Sequence, residues 1–385
     1  QAGAMSVFRK HDDGPVSTAL EAQGLAWLAE AMVDGGAHVV PVTSGPGWLE
    51  EPRLTTTGVT PAGAEAFGRA LAVTHAAGAP AFGAAPPGWD GRAQMGRSDI
   101  RLRPHAVEEG EPRRWGEFYA EDRILPYLQP SRDNGSISAA GAGVVERLCE
   151  RLRDGDFDTD QPALVRAGAR ERGARVAVAR THGDLWCGNV LWTPADEAAQ
   201  WAPPRAGLGP QEPDPGQAPV GGAAGGPTVV GVLIDPMAQG AHAETDLAAL
   251  GVFGQRYLDR IYAAYHEVSP LAEGWRERVG LHSWHILMIH AVGWSGETST
   301  TSTAPGARGR VRPRAAGGHR HDPGGGGAGP RHRGSDGAGI RGSAGVPGGL
   351  PGGVGAGLRC RLSLALVVAA GAGGRPGDEQ SHLGG

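Results

Sequence analysis

Apolar and polar positions along the chain change their period several times, and each change marks an element. SVFRK at 6–10 is a short, apolar, β-compatible run. After the turn sequence HDDGP, Leu20, Leu25, Leu28 and Met32 recur at helical spacing and predict a helix over about 17–33. HVVPVTSGPGWLEEPRL at 38–54 reads as two short strands about a Gly-Pro turn. Helical spacing then dominates, at roughly 62–77, 114–128, 139–153 and 162–168. RVAVA at 175–179 predicts a short strand, VLW at 190–192 a second, and TVVGVLI at 228–234 a buried third that ends at Asp235. Between the last two, 194–227 is rich in Pro, Gly and Ala and has no period, which predicts a long flexible insertion. Helices resume at about 244–252, 254–267 and 274–292.

At Gly293 the pattern stops. HILMIHAV is a good buried-helix sequence, and GWSGETSTTSTAPG follows it at once. The last 93 residues hold 28 glycines and eleven arginines and sustain no period of 2 or 3.6. That composition cannot bury enough apolar surface to offset the entropy of ordering, so 293–385 is expected to be a disordered low-complexity tail. The abruptness of the break points to a reading frame shifted near Gly293. The alternative is a genuine arginine-glycine tail that binds RNA.

Composition adds bounds. The chain has 385 residues, enough for one large or two modest domains. A net charge of -5 does not suggest a nucleic-acid partner. Cys149, Cys187 and Cys360 have no metal-type spacing, and Cys187 has no neighbouring His or cation in sequence to activate it. No signal-peptide pattern opens the chain, and its longest uncharged apolar run, LSLALVVAA at 362–370, is short of a membrane span. The expectation is a soluble cytoplasmic protein with no membrane partner; the oligomeric state is not legible. Lys10 is the only lysine among 36 basic residues. Arginine is the default cation here, so one retained lysine suggests a task that a planar guanidinium cannot perform.

The stretch THGDLWCGNV holds His182, Asp184 and Asn189 in the order H-x-D-x-x-x-x-N. Phosphoryl transfer needs a carboxylate beside the attacking hydroxyl and oxygen ligands for a divalent ion beside the nucleotide phosphates. Kinase catalytic loops place an aspartate and an asparagine five residues apart for those tasks. Asp184 and Asn189 have that spacing, and the flanking strands would hold the loop rigidly. A further ligand at a neighbouring strand end is supplied by Asp235 in GVLIDP. Taken singly, such an aspartate is more commonly a turn or cap residue. In this order and combination the residues point to a magnesium–phosphate site. Lys10 in a strand followed by Glu21 on the first helix has the order of the kinase lysine–glutamate pair. WLEEPRL (48–54) would then be the connection between lobes, its backbone meeting the adenine. Asp246 either bonds the backbone of the catalytic loop from a buried position or is an ordinary N-terminal helix carboxylate. Trp186 either stacks a sugar ring or packs in the core. His182 reads as a pin of the loop rather than a base.

HGDLWCGNVLW (182–192), GVLIDPMAQGAHAETDLA (231–248) and WGEFYAEDRILPYL (115–128) together resemble the fructosamine kinase (ketosamine-3-kinase) family. That family is a branch of the aminoglycoside-phosphotransferase and choline-kinase-like fold. YHEVSPLAEGWRERVGLHSWHILMIHAV (265–292) also looks like the family's C-terminal helical segment, and the likeness covers about residues 5–292. The resemblance implies an α+β, bilobal protein-kinase-like fold with a partial N-lobe sheet and a mostly helical C-lobe. It implies ATP- and Mg2+-dependent phosphorylation of a sugar hydroxyl on ketosamine (fructosyl-amine) small molecules or glycated proteins. Carried onto this chain, Asp184 would be the catalytic base, Asn189 and Asp235 would hold magnesium, Lys10 and Glu21 would order the nucleotide, and Trp186 would sit by the sugar. His182 and Asp246 would support the loop.

The expected domains are a nucleotide lobe and hinge at 1–54, a catalytic and substrate lobe at 55–292 carrying the insertion at 194–227, and the tail at 293–385. Only nine residues precede Lys10, so the strands and Gly-rich loop of such a lobe are expected to be cut short. Two alternatives stand beside this reading. One is a related kinase acting on an aminoglycoside or choline-type substrate. The other is an inactive, truncated kinase-like binding protein.

Overall fold

The computed structural model describes residues 6–12, 16–95, 98–103, 112–203 and 226–293. Strand β1 (Val7–His11) leads to helix α1 (Val16–Ala29), which tightens into a 3-10 turn, Glu30–Asp34. Leu20, Leu25, Leu28 and Met32 are all buried, as their spacing requires.

Three strands form where two were expected: β2 (His38–Val39), β3 (Thr43–Gly45) and β4 (Trp48–Pro52). Pro41 has no N–H to continue a ladder, so β2 ends there and joins a different sheet. The sheet β1-β4-β3 is antiparallel throughout, with Lys10 opposite Leu49 and Phe8 opposite Glu51. The expectation that 48–54 is an inter-lobe connection is therefore corrected. Trp48–Pro52 is the middle strand of this sheet, and buried Leu49 and Glu51 alternate with half-buried neighbours. A stretch without regular structure, residues 53–60, follows it. It ends at Thr60, whose hydroxyl accepts from Gly63 N–H at 3.0 Å and caps α2 (Pro61–Ala76).

The next elements are a hairpin, β5 (Ala93–Met95) and β6 (Ser98–Ile100), which periodicity did not reveal, and a long helical stretch. That stretch is α3 (Trp115–Phe118), a π turn over Tyr119–Ile124 and α4 (Leu125–Asp133). Helices α5 (Ala139–Asp154) and α6 (Ala163–Glu171) follow.

Strand β7 spans Ala179–Thr181 rather than 175–179. Its extent is set by its partner β10 (Gln239–Ala241), which pairs with those three residues alone. Val178, just outside the ladder, is buried in the core instead. Strand β8 (Val190–Pro194) pairs antiparallel with β9 (Val229–Leu233), and β2 adds to β9 in parallel. The expected loop at 194–227 begins later than predicted. Pro194 closes β8, and Ala195–Ala198 form helix α7. Residues 204–225 of the predicted insertion lie outside the described residues, as do the tail from 294 onward and the expected frame break.

Helix α8 (Ala243–Val252) is followed by α9 (Leu258–Val268). The latter starts four residues after the prediction, because Gly254 and Tyr257 both sit at positive φ. The helix expected over 274–292 is two, α10 (Trp275–His282) and α11 (Trp284–Gly293), parted at Ser283. The Ser283 hydroxyl donates back to the Val279 carbonyl at 2.8 Å and competes with the backbone ladder. No helix among the described residues is long and apolar enough to cross a membrane.

Two apolar clusters organise this α+β fold. The larger joins Leu25, Leu28 and Leu49 to Phe67, Leu71, Val190, Val232 and Leu247. The second gathers Trp115, Phe118, Tyr119, Ile124, Leu152 and Trp284. Within the larger, α2 lies so close to α9 that a Cβ on Gly68 would be 2.3 Å from the Ile261 carbonyl oxygen. Gly68→Ala is therefore expected to force the helices apart and cost about 1–3 kcal/mol, typical of overpacking. Urea unfolding checks it; an unchanged or raised midpoint would show that the contact relaxes freely.

Candidate active site

The loop between β7 and β8 is held mainly by one buried carboxylate. Asp246, in the first turn of α8, accepts from the backbone N–H of His182 at 2.6 Å and of Gly183 at 2.9 Å. It is almost wholly buried. Burial favours its neutral form, yet its carboxyl is held below the usual range by His75, His182 and the loop amide of Gly183. His75 of α2 supplies Nε2 at 3.2 Å, and its Nδ1 lies 2.9 Å from the Tyr265 hydroxyl. Gly183 has a φ of 81°, and a Cβ there would stand 2.0 Å from the Met237 carbonyl oxygen. Only glycine allows the loop to pass so close to the strand entering β10. The His182 ring adds a bond from Nε2 to the Ile234 carbonyl at 2.8 Å, and burial holds its pKa down. Of the two readings open for Asp246, the structure shows the bond to the loop backbone, and the His182 ring joins the loop to the end of β9.

So held, the loop turns Asp184 and Asn189 toward each other. Asn189 Nδ2 donates to the Asp184 carbonyl at 2.8 Å and to its carboxylate at 3.1 Å, and lies 3.4 Å from the Asp235 carbonyl. Asp235 leaves β9 at a left-handed φ of 52°, which aspartate tolerates better than most residues. Asp184 and Asp235 line one cleft of about 200 Å3 with Leu20, Glu21, Gln94 and Met237. The two carboxylates thus share a cleft although they come from separate strands. Burial is the main cause that pushes Asp184 up to about 7, and the nearby charges of Asp235 and Asp246 add to it.

Lys10 of β1 reaches two of the residues that line this cleft, Glu21 and Asp235. Its Nζ donates to Glu21 at 2.7 Å and to Asp235, and lies 3.2 Å from Glu51. Burial would favour the neutral amine, but Asp235 and Glu21 raise its pKa above the ordinary value. Three carboxylates sharing one ammonium cannot all be compensated. Burial therefore prevails at Glu21, pushed up to about 8, and at Glu51, which is also raised.

Sequence reasoning placed Lys10, Glu21, Asp184, Asn189 and Asp235 together, and they are together. It missed Glu51 and His75. Each carried a signal: Glu51 shares a strand face with buried Leu49, and His75 lies on the buried face of α2 with Phe67, Gly68, Leu71 and Ala72. Trp186 is half-buried, edge-on to Phe253 at 5.7 Å beside Ile286 and Leu287, with its ring folded over Gly188. The Cys187 thiol lies 3.8 Å from the Phe253 carbonyl, and burial pushes it up, away from the reactive thiolate.

A second cluster, His242, Glu244 and His282, is buried between α8 and α10 and has metal-like proximity. Arg278 already bonds both Glu244 oxygens, at 2.9 and 2.7 Å, so the cluster works as a compensated ion pair. Burial lowers His242 to about 3, with the neighbouring His282 as a lesser cause. Against its own burial, Glu244 is brought down to about 2 by His282 and Arg278.

Compared with known proteins, residues 52–303 match the family described as fructosamine kinase. A curated relative from Klebsiella aerogenes, named "Probable ketoamine kinase", is 26% identical over 215 residues, 56% of each chain. A relative of the same description from Escherichia coli K12 is 25% identical over 185 residues, 48% of this chain and 46% of its own. The chain thus spans about half the length of the curated relatives it matches. Among solved structures, a "putative fructosamine-3-kinase" from Thermobifida fusca is 33% identical, with a TM-score of 0.54. The match covers 77% of this chain and 82% of that one.

Two expectations follow from the site's support. Asp246→Asn replaces one acceptor oxygen with a donor facing a backbone N–H. It should cost about 1–3 kcal/mol and raise deuterium uptake at His182 and Gly183; unchanged uptake would mean that other contacts hold the loop. For His242 the folded value lies below the ordinary 6.5, so the unfolded chain binds the extra proton between about 6.5 and 3. Stability should fall as pH drops through that window, by up to about 1.4 kcal/mol per pH unit. Glu244 adds to the same slope below 4.5. Urea titrations from pH 7 to 4 should show His242→Asn flattening the dependence; a parallel curve would refute the assignment.

Proposed function

The chain belongs to the fructosamine kinase family, and from that premise we propose that it transfers the terminal phosphoryl group of ATP to a hydroxyl of a ketosamine sugar. One observation carries the reading. Asp184 and Asp235 line a single cleft, Asn189 bonds the carboxylate of the first and lies 3.4 Å from the backbone carbonyl of the second, and the chain's sole lysine reaches Asp235 from β1. This is the set of groups phosphoryl transfer requires, with catalysis resting on positioning and charge compensation.

The donor set fits magnesium, which prefers a few hard oxygens from protein and completes its shell with phosphate and water. The Asp235 carboxylate, with 43% of its side chain exposed, and the Asn189 side-chain oxygen would hold it. When bound, the ion would neutralise charge on the phosphate oxygens. Lys10 would turn from Asp235 and donate to those phosphates, with Glu21 keeping its orientation. Asp184, pushed up to about 7, would accept the proton of the sugar hydroxyl as its oxygen bonds to the γ-phosphorus and ADP departs. Asn189 would orient the Asp184 carboxylate through its amide. Trp186, half-buried beside the loop, would offer the sugar an apolar face. The names of the relatives support ketoamines such as fructosyl-amines as the substrate class.

The test is Mg-ATP turnover with fructosyl-lysine, an aminoglycoside and choline as separate substrates. Fructosyl-lysine should stimulate ATP consumption and gain phosphate, while the other two do neither. Asp184→Asn should lower kcat by about 10²–10⁴-fold, the range of a lost general base. Stimulation by another substrate alone would reassign the specificity. Stimulation that survives Asp184→Asn would remove Asp184 as the base.

A further inference from the structure

An ammonium has three N–H donors, and at Lys10 three carboxylates meet it. A kinase-type lysine needs one orienting glutamate, which Glu21 supplies at 2.7 Å. Glu51 is an additional acid. It is 7% exposed, and its Oε2 is buried with no hydrogen-bond partner. Leaving a carboxylate oxygen in that condition is costly, so packing alone does not explain it. Its other oxygen, Oε1, lies 3.2 Å from Lys10 Nζ. The register also matters: Glu51 stands opposite Phe8 and Lys10 opposite Leu49 in one antiparallel ladder, so both acid and lysine are set by the same pairing. Glu21 sits on α1, a separate element.

We propose that Glu51 is a second positioning residue for Lys10: with Glu21 it fixes two of the three ammonium donors, so that the third points at the nucleotide phosphates. This rests on the kinase reading above. In the structure the third donor goes to Asp235, the residue that would turn to the metal. Glu21 orients the lysine from the helix and Glu51 from within the sheet. The sheet contact keeps the lysine aimed whatever the position of α1.

The single lysine makes the test direct, because selective 15N-lysine labelling of the full chain gives one side-chain ammonium signal. Without nucleotide, that signal should be visible and slow to exchange in the unsubstituted chain. It should be lost or broadened in Glu51→Ala and retained in Glu51→Gln, which still offers an oxygen to Nζ. In Mg-ATP assays Glu51→Ala should raise KM for ATP by about tenfold, the weight of one charge-assisted hydrogen bond, with kcat within about threefold. Glu51→Gln should recover most of that KM. If Glu51→Ala does not fold, Glu51→Leu, which fills the strand face, carries the same expectations. An unchanged signal and KM in the folded variant would overturn the inference, as would equal loss in Glu51→Gln. An unsubstituted chain that neither binds nor turns over Mg-ATP would instead overturn the kinase reading; a working one with an indifferent Glu51 would overturn this inference alone.

Discussion

Charge imbalance in a small cleft is the constraint on which the rest depends. Glu21, Glu51, Asp184 and Asp235 lie in or beside one cleft, and among the described residues Lys10 is the cation that pairs with three of them. Four acids beside one ammonium, partly shielded from water, cannot all stay ionised without further positive charge. Burial is the main cause that raises Glu21, Glu51 and Asp184, and the nearby charge of Asp235 adds to it in each case. A divalent ion would relieve the deficit of positive charge, and the acids that stand closest to open space are suited to hold one. The same deficit explains why the lysine is drawn onto Asp235 in the structure described here.

Holding such groups in place requires a rigid frame, and the frame is paired with equal care. Asp246 is buried, but two loop amides and His75 compensate it. Behind it, His242, Glu244, His282 and Arg278 lock α8 to α10. In these two networks each acid has several donors of its own, whereas in the cleft Glu21, Glu51 and Asp235 share the one ammonium of Lys10. Burial differs as well: Asp246 and Glu244 are almost wholly buried, while the Asp235 side chain is 43% exposed.

Much of this was legible in the sequence because it rests on local patterns. Asp184, Asn189 and Asp235 lie at the ends of short apolar strands, and the five-residue spacing of the first two survives into a direct hydrogen bond. Lys10 stood out because arginine replaces lysine everywhere else. What could not be read depends on pairing across long separations. β10 is three residues long and exists because β7 meets it. The end of β2 and the inclusion of Trp48–Pro52 in a sheet follow from partners far along the chain. Which of two adjacent glutamates turns inward depends on the pairing with β1: Glu50 pairs with exposed Arg9, and Glu51 faces Lys10. Trp186 is half-buried, with its ring edge-on to Phe253, a packing partner 67 residues away.

The claim at the centre is that groups from β1, the β7–β8 loop and the end of β9 converge on one metal-nucleotide site. Anomalous diffraction from crystals grown with Mn2+ and a non-hydrolysable ATP analogue tests it most directly. The account predicts a manganese peak within coordinating distance of the Asp235 carboxylate and the Asn189 side-chain oxygen, with Lys10 Nζ moved onto the analogue's phosphates. A nucleotide bound elsewhere, or a manganese peak away from both side chains with Lys10 still on Asp235, would contradict it.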